Sequence, residues 1–132
     1  MKINEYRNEK TINFLNKRYG ENKASGVAAI RIETGEYLVS VWPEVNNSSA
    51  DLCAEGGSIC EAHKLNKKVP HSLCVCRQND NGPYEIFTPC GICQERLMFW
   101  GKDVKCAIST KDNRLVFKTL EEIQPYYWLE EK

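Results

Sequence analysis

Apolar residues recur along this chain at helical spacing in some stretches and in alternation or short runs in others, and the switches between these rhythms lay out the elements. Residues 4–19 carry Tyr6, Ile12, Phe14 and Leu15 among many charges, which predicts a surface helix stopped by Gly20. Two apolar runs follow, 26–32 and 37–42, with Thr34 and Gly35 between them, the pattern of a β-hairpin. Residues 43–51 form a polar loop. From 52 to 66 the period becomes helical through Ile59, Ala62 and Leu65, with Asp51 as the expected N-cap. Strands are predicted at 71–76 and 84–87, joined by a turn at Asn81-Gly82-Pro83. Thr88-Pro89 reads as the start of a further helix carrying Ile92, Leu97, Met98 and Phe99 and closed by Gly101. Short strands at 104–109 and 115–118 come next, then a short helix and turn over 120–128. The order α-β-β-α-β-β-α-β-β implies an α/β fold, one sheet with helices on its faces.

A length of 132 residues fits a single domain spanning the whole chain. Eighteen basic and eighteen acidic residues balance, which argues against a nucleic-acid groove with its basic excess. No apolar run reaches the roughly 18 residues of a membrane span, and the polar start is unlike a secretory signal. The expectation is a cytoplasmic protein without membrane or nucleic-acid partners. Seven cysteines is an odd and large number for that compartment, where disulfides are rare. Metal ligation or plain burial is the better reading.

Two clusters carry candidate chemistry: Cys53-Ala54-Glu55, and Pro89-Cys90-Gly91-Ile92-Cys93. Each is expected to open a helix, where free amide N–H groups and the helix dipole stabilise thiolates. Three thiolates around Zn²⁺ leave a fourth tetrahedral position for water, the arrangement of a catalytic site. Such a water has a pKa lowered towards neutrality. Glu55, two residues from a ligand, is placed to move protons without binding the metal itself. A zinc finger or ribbon would need a second close ligand pair in the first cluster, and a thioredoxin-like site would place its Cys-x-x-Cys early in the chain. Cys60, Cys74, Cys76 and Cys106 are read as buried small apolar side chains, with Cys74 and Cys76 on one face of a strand.

The pattern Cys-x-Glu followed by Pro-Cys-x-x-Cys resembles that of the zinc nucleobase deaminases. Over nearly its whole length the chain resembles the short cytidine deaminase and blasticidin-S deaminase family. That resemblance implies a three-layer α-β-α sandwich around a central mixed five-stranded sheet. It implies zinc held by Cys53, Cys90 and Cys93, and a homotetramer, with a dimer as the alternative. It also implies attack of hydroxide on C4 of a cytosine ring and loss of ammonia. Glu55 would take the proton from water, protonate the ring N3 and assist the leaving amine. Ala54 would present a backbone group to that amine.

The departures from the family pattern concern the substrate. Relatives acting on cytidine often carry Asn-x-Glu before the first ligand for the ribose; here the two positions are Trp42 and Glu44. The loop 22–25 offers no aromatic ring for stacking, and Gly56 stands where many relatives place an Arg beside the catalytic Glu. Arg96 and Arg77 are the candidates to replace that charge. Trp128 is the candidate to close a pocket, in its own chain or a neighbouring one. The expected function is deamination of cytidine or 2′-deoxycytidine, the alternative being deamination of a cytosine-containing antibiotic such as blasticidin S. The reading from a different class is a non-catalytic, zinc-stabilised binding protein.

Overall fold

Strand β1, Ser25–Arg31, is buried along all but its last residue because it lies inside the sheet with a neighbour on each side. The computed structural model describes residues 2–129, with side chains from Glu9 onward. Tyr6, read from the sequence as part of the first helix, lies outside the described side chains. No helix among the described residues is long and apolar enough to cross a membrane.

The sheet is mixed. Its strands run in the order β2 (Tyr37–Val41), β1, β3 (His71–Arg77), β5 (Lys105–Ala107) and β6 (Phe117–Thr119). Only β3 and β5 are parallel. The two-residue β4, Glu85–Ile86, pairs with β3 off this path and adds a short sixth member to the five expected. The β1–β2 hairpin forms as expected, and Gly35 takes a left-handed φ of 95° in its turn. That conformation is open to glycine without steric cost.

Alternation along the strands divides the core into two layers. On one face Ile30, Leu38 and Cys106 pack with Ile59 and Ala62 of α2 (Gly56–Leu65) and with Cys93 and Leu97 of α3 (Gly91–Leu97). On the other, Leu73, Val75 and Ala107 pack with Ile12 of α1 (Lys2–Tyr19). Full burial of a side chain such as Ile30 or Leu97 stabilises the fold by about 1.5–3 kcal/mol. α4 (Leu120–Ile123) is closed by a capping box in which Thr119 and Glu122 satisfy each other's backbone N–H.

Three boundaries differ from expectation, each for a local reason. α2 begins at Gly56, not after Asp51, because residues 53–55 form a turn in which the Gly56 N–H donates to the Cys53 carbonyl, 3.0 Å. Asp51 instead accepts the indole N–H of Trp42, 2.6 Å, and the N–H of Leu52, 3.1 Å. α3 is capped by Cys90, while the Thr88 hydroxyl accepts the N–H of Ser109, 2.9 Å. Finally α3 ends at Leu97 and passes into a 3₁₀ turn, Met98–Trp100, with Gly101 at φ 103°.

Candidate metal centre and pocket

The packing of α2 against α3 brings together two segments far apart in sequence. Cys93 and Leu97 lie one turn apart on α3, and both bury completely against the sheet. That orientation turns the Cys93 thiol inward, where Cys53 arrives from the turn preceding α2. The sulphurs of Cys53, Cys90 and Cys93 all lie within 4.8 Å of one another, and those of Cys53 and Cys90 are 3.2 Å apart. A tetrahedral zinc with Zn–S near 2.3 Å would hold such sulphurs about 3.8 Å apart. The three thiols therefore fit a soft tetrahedral cation with little movement.

Their electrostatics fit as well. Burial pushes the Cys90 thiol up, but backbone N–H groups of Cys93 and Ile92 and the Cys53 thiol outweigh it, and the net effect is a lowered pKa. Burial raises Cys53 and Cys93. A cluster of this kind does not hold three thiolates by itself; a bound cation would supply the missing charge, and its binding would release protons. The donor set of three soft sulphurs suits zinc over magnesium or calcium.

Glu55 is the N-cap residue of α2 and is only 4% exposed, yet its side chain makes no capping bond. Burial raises its pKa; its own backbone N–H, the Cys74 thiol and the charge of Arg96 oppose that rise. The guanidinium of Arg96 comes within 3.8 Å of where a Cβ on Gly56 would stand. Of the two arginines expected to replace the absent charge, Arg96 is thus the one beside the turn. Arg77 also lines the cavity, but its guanidinium is taken up by the carbonyls of Gly82, 3.0 Å, and of Gly20 and Lys23, each 3.3 Å.

Cys53, Glu55 and Cys90 open onto a cavity of about 380 Å³ that Trp42, Ala54 and Phe87 also line. The Ala54 carbonyl accepts the Ser40 hydroxyl at 2.5 Å. The larger groove on this chain lies elsewhere, along Phe99, Tyr127 and Trp128. We assign the chemistry to the smaller cavity because the thiols and the buried carboxylate are there.

Of the eight residues read as site residues, Cys53, Cys90, Cys93, Glu55, Ala54 and Trp42 converge. Glu44 does not line the cavity; its carboxylate is held by Lys23 at 2.8 Å, with Arg18 at 4.0 Å. Trp128 donates to Glu95 at 2.5 Å and lies on the larger groove. At 72% exposure it is not packed into its own chain's core. Cys60 is exposed, against the expectation of burial, because it projects from α2 away from the sheet, and Cys76 is only half-buried because it faces the cavity; Cys74 and Cys106 are buried as expected. Sequence reasoning missed Phe87, Asp51, Cys74 and Cys76 as cavity wall. For the two cysteines their shared strand face was a partial signal. For Phe87 there was none, since its place depends on its backbone N–H pairing with the Cys74 carbonyl, 3.0 Å.

No family profile matches the chain. It is 30% identical over 112 residues to a blasticidin-S deaminase from Bacillus cereus, the alignment covering 81% of this chain and 79% of that protein. The cytidine deaminase from Bacillus anthracis superposes with a TM-score of 0.89 at 44% identity, over 96% of this chain and 89% of that one. A cytidine deaminase from Mycobacterium leprae shares the fold, with a TM-score of 0.66 at 19% identity over 89% and 92% of the two chains.

Proposed function

The chain belongs to the cytidine deaminase family, and from that premise we propose that it is a zinc-dependent hydrolytic deaminase of a cytosine nucleoside, with Cys53, Cys90 and Cys93 as ligands and Glu55 as the proton carrier. The observation that carries the reading is a buried carboxylate beside three clustered thiols at the mouth of a ring-sized cavity. Bound zinc would supply Lewis acidity, lowering the pKa of a water in its fourth position.

The chain's own residues do the rest. Glu55 accepts a proton from the attacking water at its carboxylate and gives it to the ring nitrogen; it then takes a second proton, from the hydroxyl now on C4, and gives that one to the departing amine. A raised carboxylate pKa suits a group that must both take and release a proton near neutrality. Trp42 and Phe87 supply apolar walls for the ring. The Ala54 carbonyl has one lone pair occupied by Ser40 and a second free to accept from the substrate's amine.

A second reading is favoured by one observation. At the position expected to meet the ribose stands Trp42, locked by its indole N–H to Asp51, and Glu44 is tied to Lys23. A cavity built this way is less polar towards a sugar, which supports a cytosine-containing antibiotic such as blasticidin S as the alternative substrate. Ammonia release from the zinc-loaded protein, followed with cytidine, 2′-deoxycytidine and blasticidin S, separates the two. We expect turnover of a nucleoside, and Trp42→Ala to change KM more than kcat. Turnover of blasticidin S alone would reverse the order of the two readings. No release from any of the three would sink both.

We place the enzyme in the cytoplasm, since its seven cysteines are all unpaired, as a reducing compartment keeps them. We also propose a homotetramer. Phe99 and Trp128, each 72% exposed, line the larger groove, and the neighbouring Tyr126 is 95% exposed, more aromatic surface than a lone small domain usually shows to water. Light scattering that gave the mass of one chain would overturn the assembly and, with it, any role for Trp128 at a neighbouring subunit's cavity.

A further inference from the structure

Cys74 and Cys76 stand two residues apart on β3, so their side chains share a face, and that face is the one turned to the cavity. Their sulphurs are 3.6 Å apart. Neither is in a disulfide, and neither belongs to the group of Cys53, Cys90 and Cys93. The cavity wall therefore holds a second sulphur pair, beside Glu55.

The strand opposite makes room for it. Gly26 and Ala28 of β1 are the register partners of Cys76 and Cys74. A Cβ on Gly26 would fall 3.0 Å from the Cys76 sulphur and 3.3 Å from the Trp42 Cβ. The absence of a side chain at Gly26 is thus what lets the Cys76 thiol and Trp42 occupy adjoining wall. Cys76 is half-buried and reachable; Cys74 is 6% exposed, behind it.

Two sulphurs at this spacing, with no third donor in the pair, suit a pyramidal centre that takes two thiolates and keeps one organic substituent. We propose that Cys74 and Cys76 form a dithiol site for monosubstituted trivalent arsenicals, and that capture there closes the cavity. The reaction is a condensation. An oxide R–As=O and two thiols give R–As(S–Cys74)(S–Cys76) and water. Two As–S bonds form, the As–O bond breaks, and the two thiol protons leave with the oxygen. Arsenic stays trivalent, so no oxidant or reductant is needed. This site stands on its own geometry and does not depend on the catalytic reading.

The test is native mass spectrometry of the full, zinc-loaded chain with phenylarsine oxide, counting arsenic and zinc together. One phenylarsenic group per chain is expected, with zinc retained. Removing one arm, in Cys74→Ala or Cys76→Ser, is expected to weaken capture by about 10²–10⁴-fold, the usual worth of a second tethered contact. Cys60→Ala and Cys106→Ala should capture as the unaltered chain does. If a variant fails to fold, maleimide labelling of the unaltered chain decides the matter: the arsenical should shield Cys76, the reachable arm of the pair. Undiminished capture by both single variants would overturn the proposal. So would zinc leaving mole for mole with adduct formation, which would make the metal-binding thiols the target, or no adduct at all. A chain that bound no zinc but still took up one phenylarsenic group with Cys76 shielded would refute the catalytic reading and support this one.

Discussion

Glu55→Gln is expected to lower turnover by about 10²–10⁴-fold, the usual worth of one positioned proton-transfer group, while zinc content and folding stay near those of the unaltered protein. The substitution keeps the shape of a side chain that is only 4% exposed, so no cavity opens beside α2. It removes the ability to carry a proton and nothing else of comparable size. Burial already disfavours the charged carboxylate, so the neutral amide is expected to leave the melting temperature unchanged or slightly raised. The Cys74 thiol keeps an oxygen acceptor in the amide. The measurement is single-turnover ammonia release alongside zinc analysis and thermal melting of the same preparations. Equal turnover by Glu55→Gln and the unaltered protein would remove Glu55 from the mechanism. It would also revive the reading of a non-catalytic zinc-stabilised protein, which otherwise has no use for a buried carboxylate at the cavity.

Legibility differed between the parts of this site because different physics placed them. The order of helices and strands follows from hydrophobic periodicity, a local property, and it was readable. The grouping of Cys53, Cys90 and Cys93 was readable because a thiolate metal site would demand cysteines at helix starts, and these three stand within or just before the first turns of α2 and α3. The exact starts were not. Gly56 opens α2 because of a turn bond to the Cys53 carbonyl, and Thr88 is drawn away from capping by Ser109, twenty-one residues on. The cavity wall was the least readable part. Phe87 reaches it through a backbone pairing with β3, and Gly26 matters only because register sets it opposite Cys76. Arg96 was nameable as a candidate, but its selection over Arg77 required knowing that α3 lies beside Gly56 and that three carbonyls occupy Arg77. Glu44 had the right spacing from Cys53 and still faces Lys23, because loop residues answer to whichever charge is nearest.

Cys93→Ala is the second large effect, and it separates metal from proton. Cys93 is completely buried among Ile59, Leu97 and Cys106, so trimming its side chain to a methyl removes one heavy atom, the sulphur, from an apolar environment. The fold is expected to survive, since the Leu97 and Ile30 contacts of this core remain. Zinc is expected not to. Loss of a group that only hydrogen-bonds to a ligand costs about 10–100-fold in metal affinity, and loss of a ligand must exceed that. Two remaining thiols, Cys53 and Cys90, keep a 3.2 Å spacing but offer no third arm. Dialysis against a chelator followed by zinc analysis should leave one metal per chain in the unaltered protein and in Cys106→Ala, and essentially none in Cys93→Ala. Cys106 is the right control. It is buried in the same cluster and burial pushes its thiol up to about 12, yet it stands outside the three-sulphur group. Turnover should vanish with the metal in Cys93→Ala, whereas in Glu55→Gln it falls with the metal still in place. Cys93→Ala retaining stoichiometric zinc through the same dialysis would show that the three sulphurs are not the metal site, whatever their geometry.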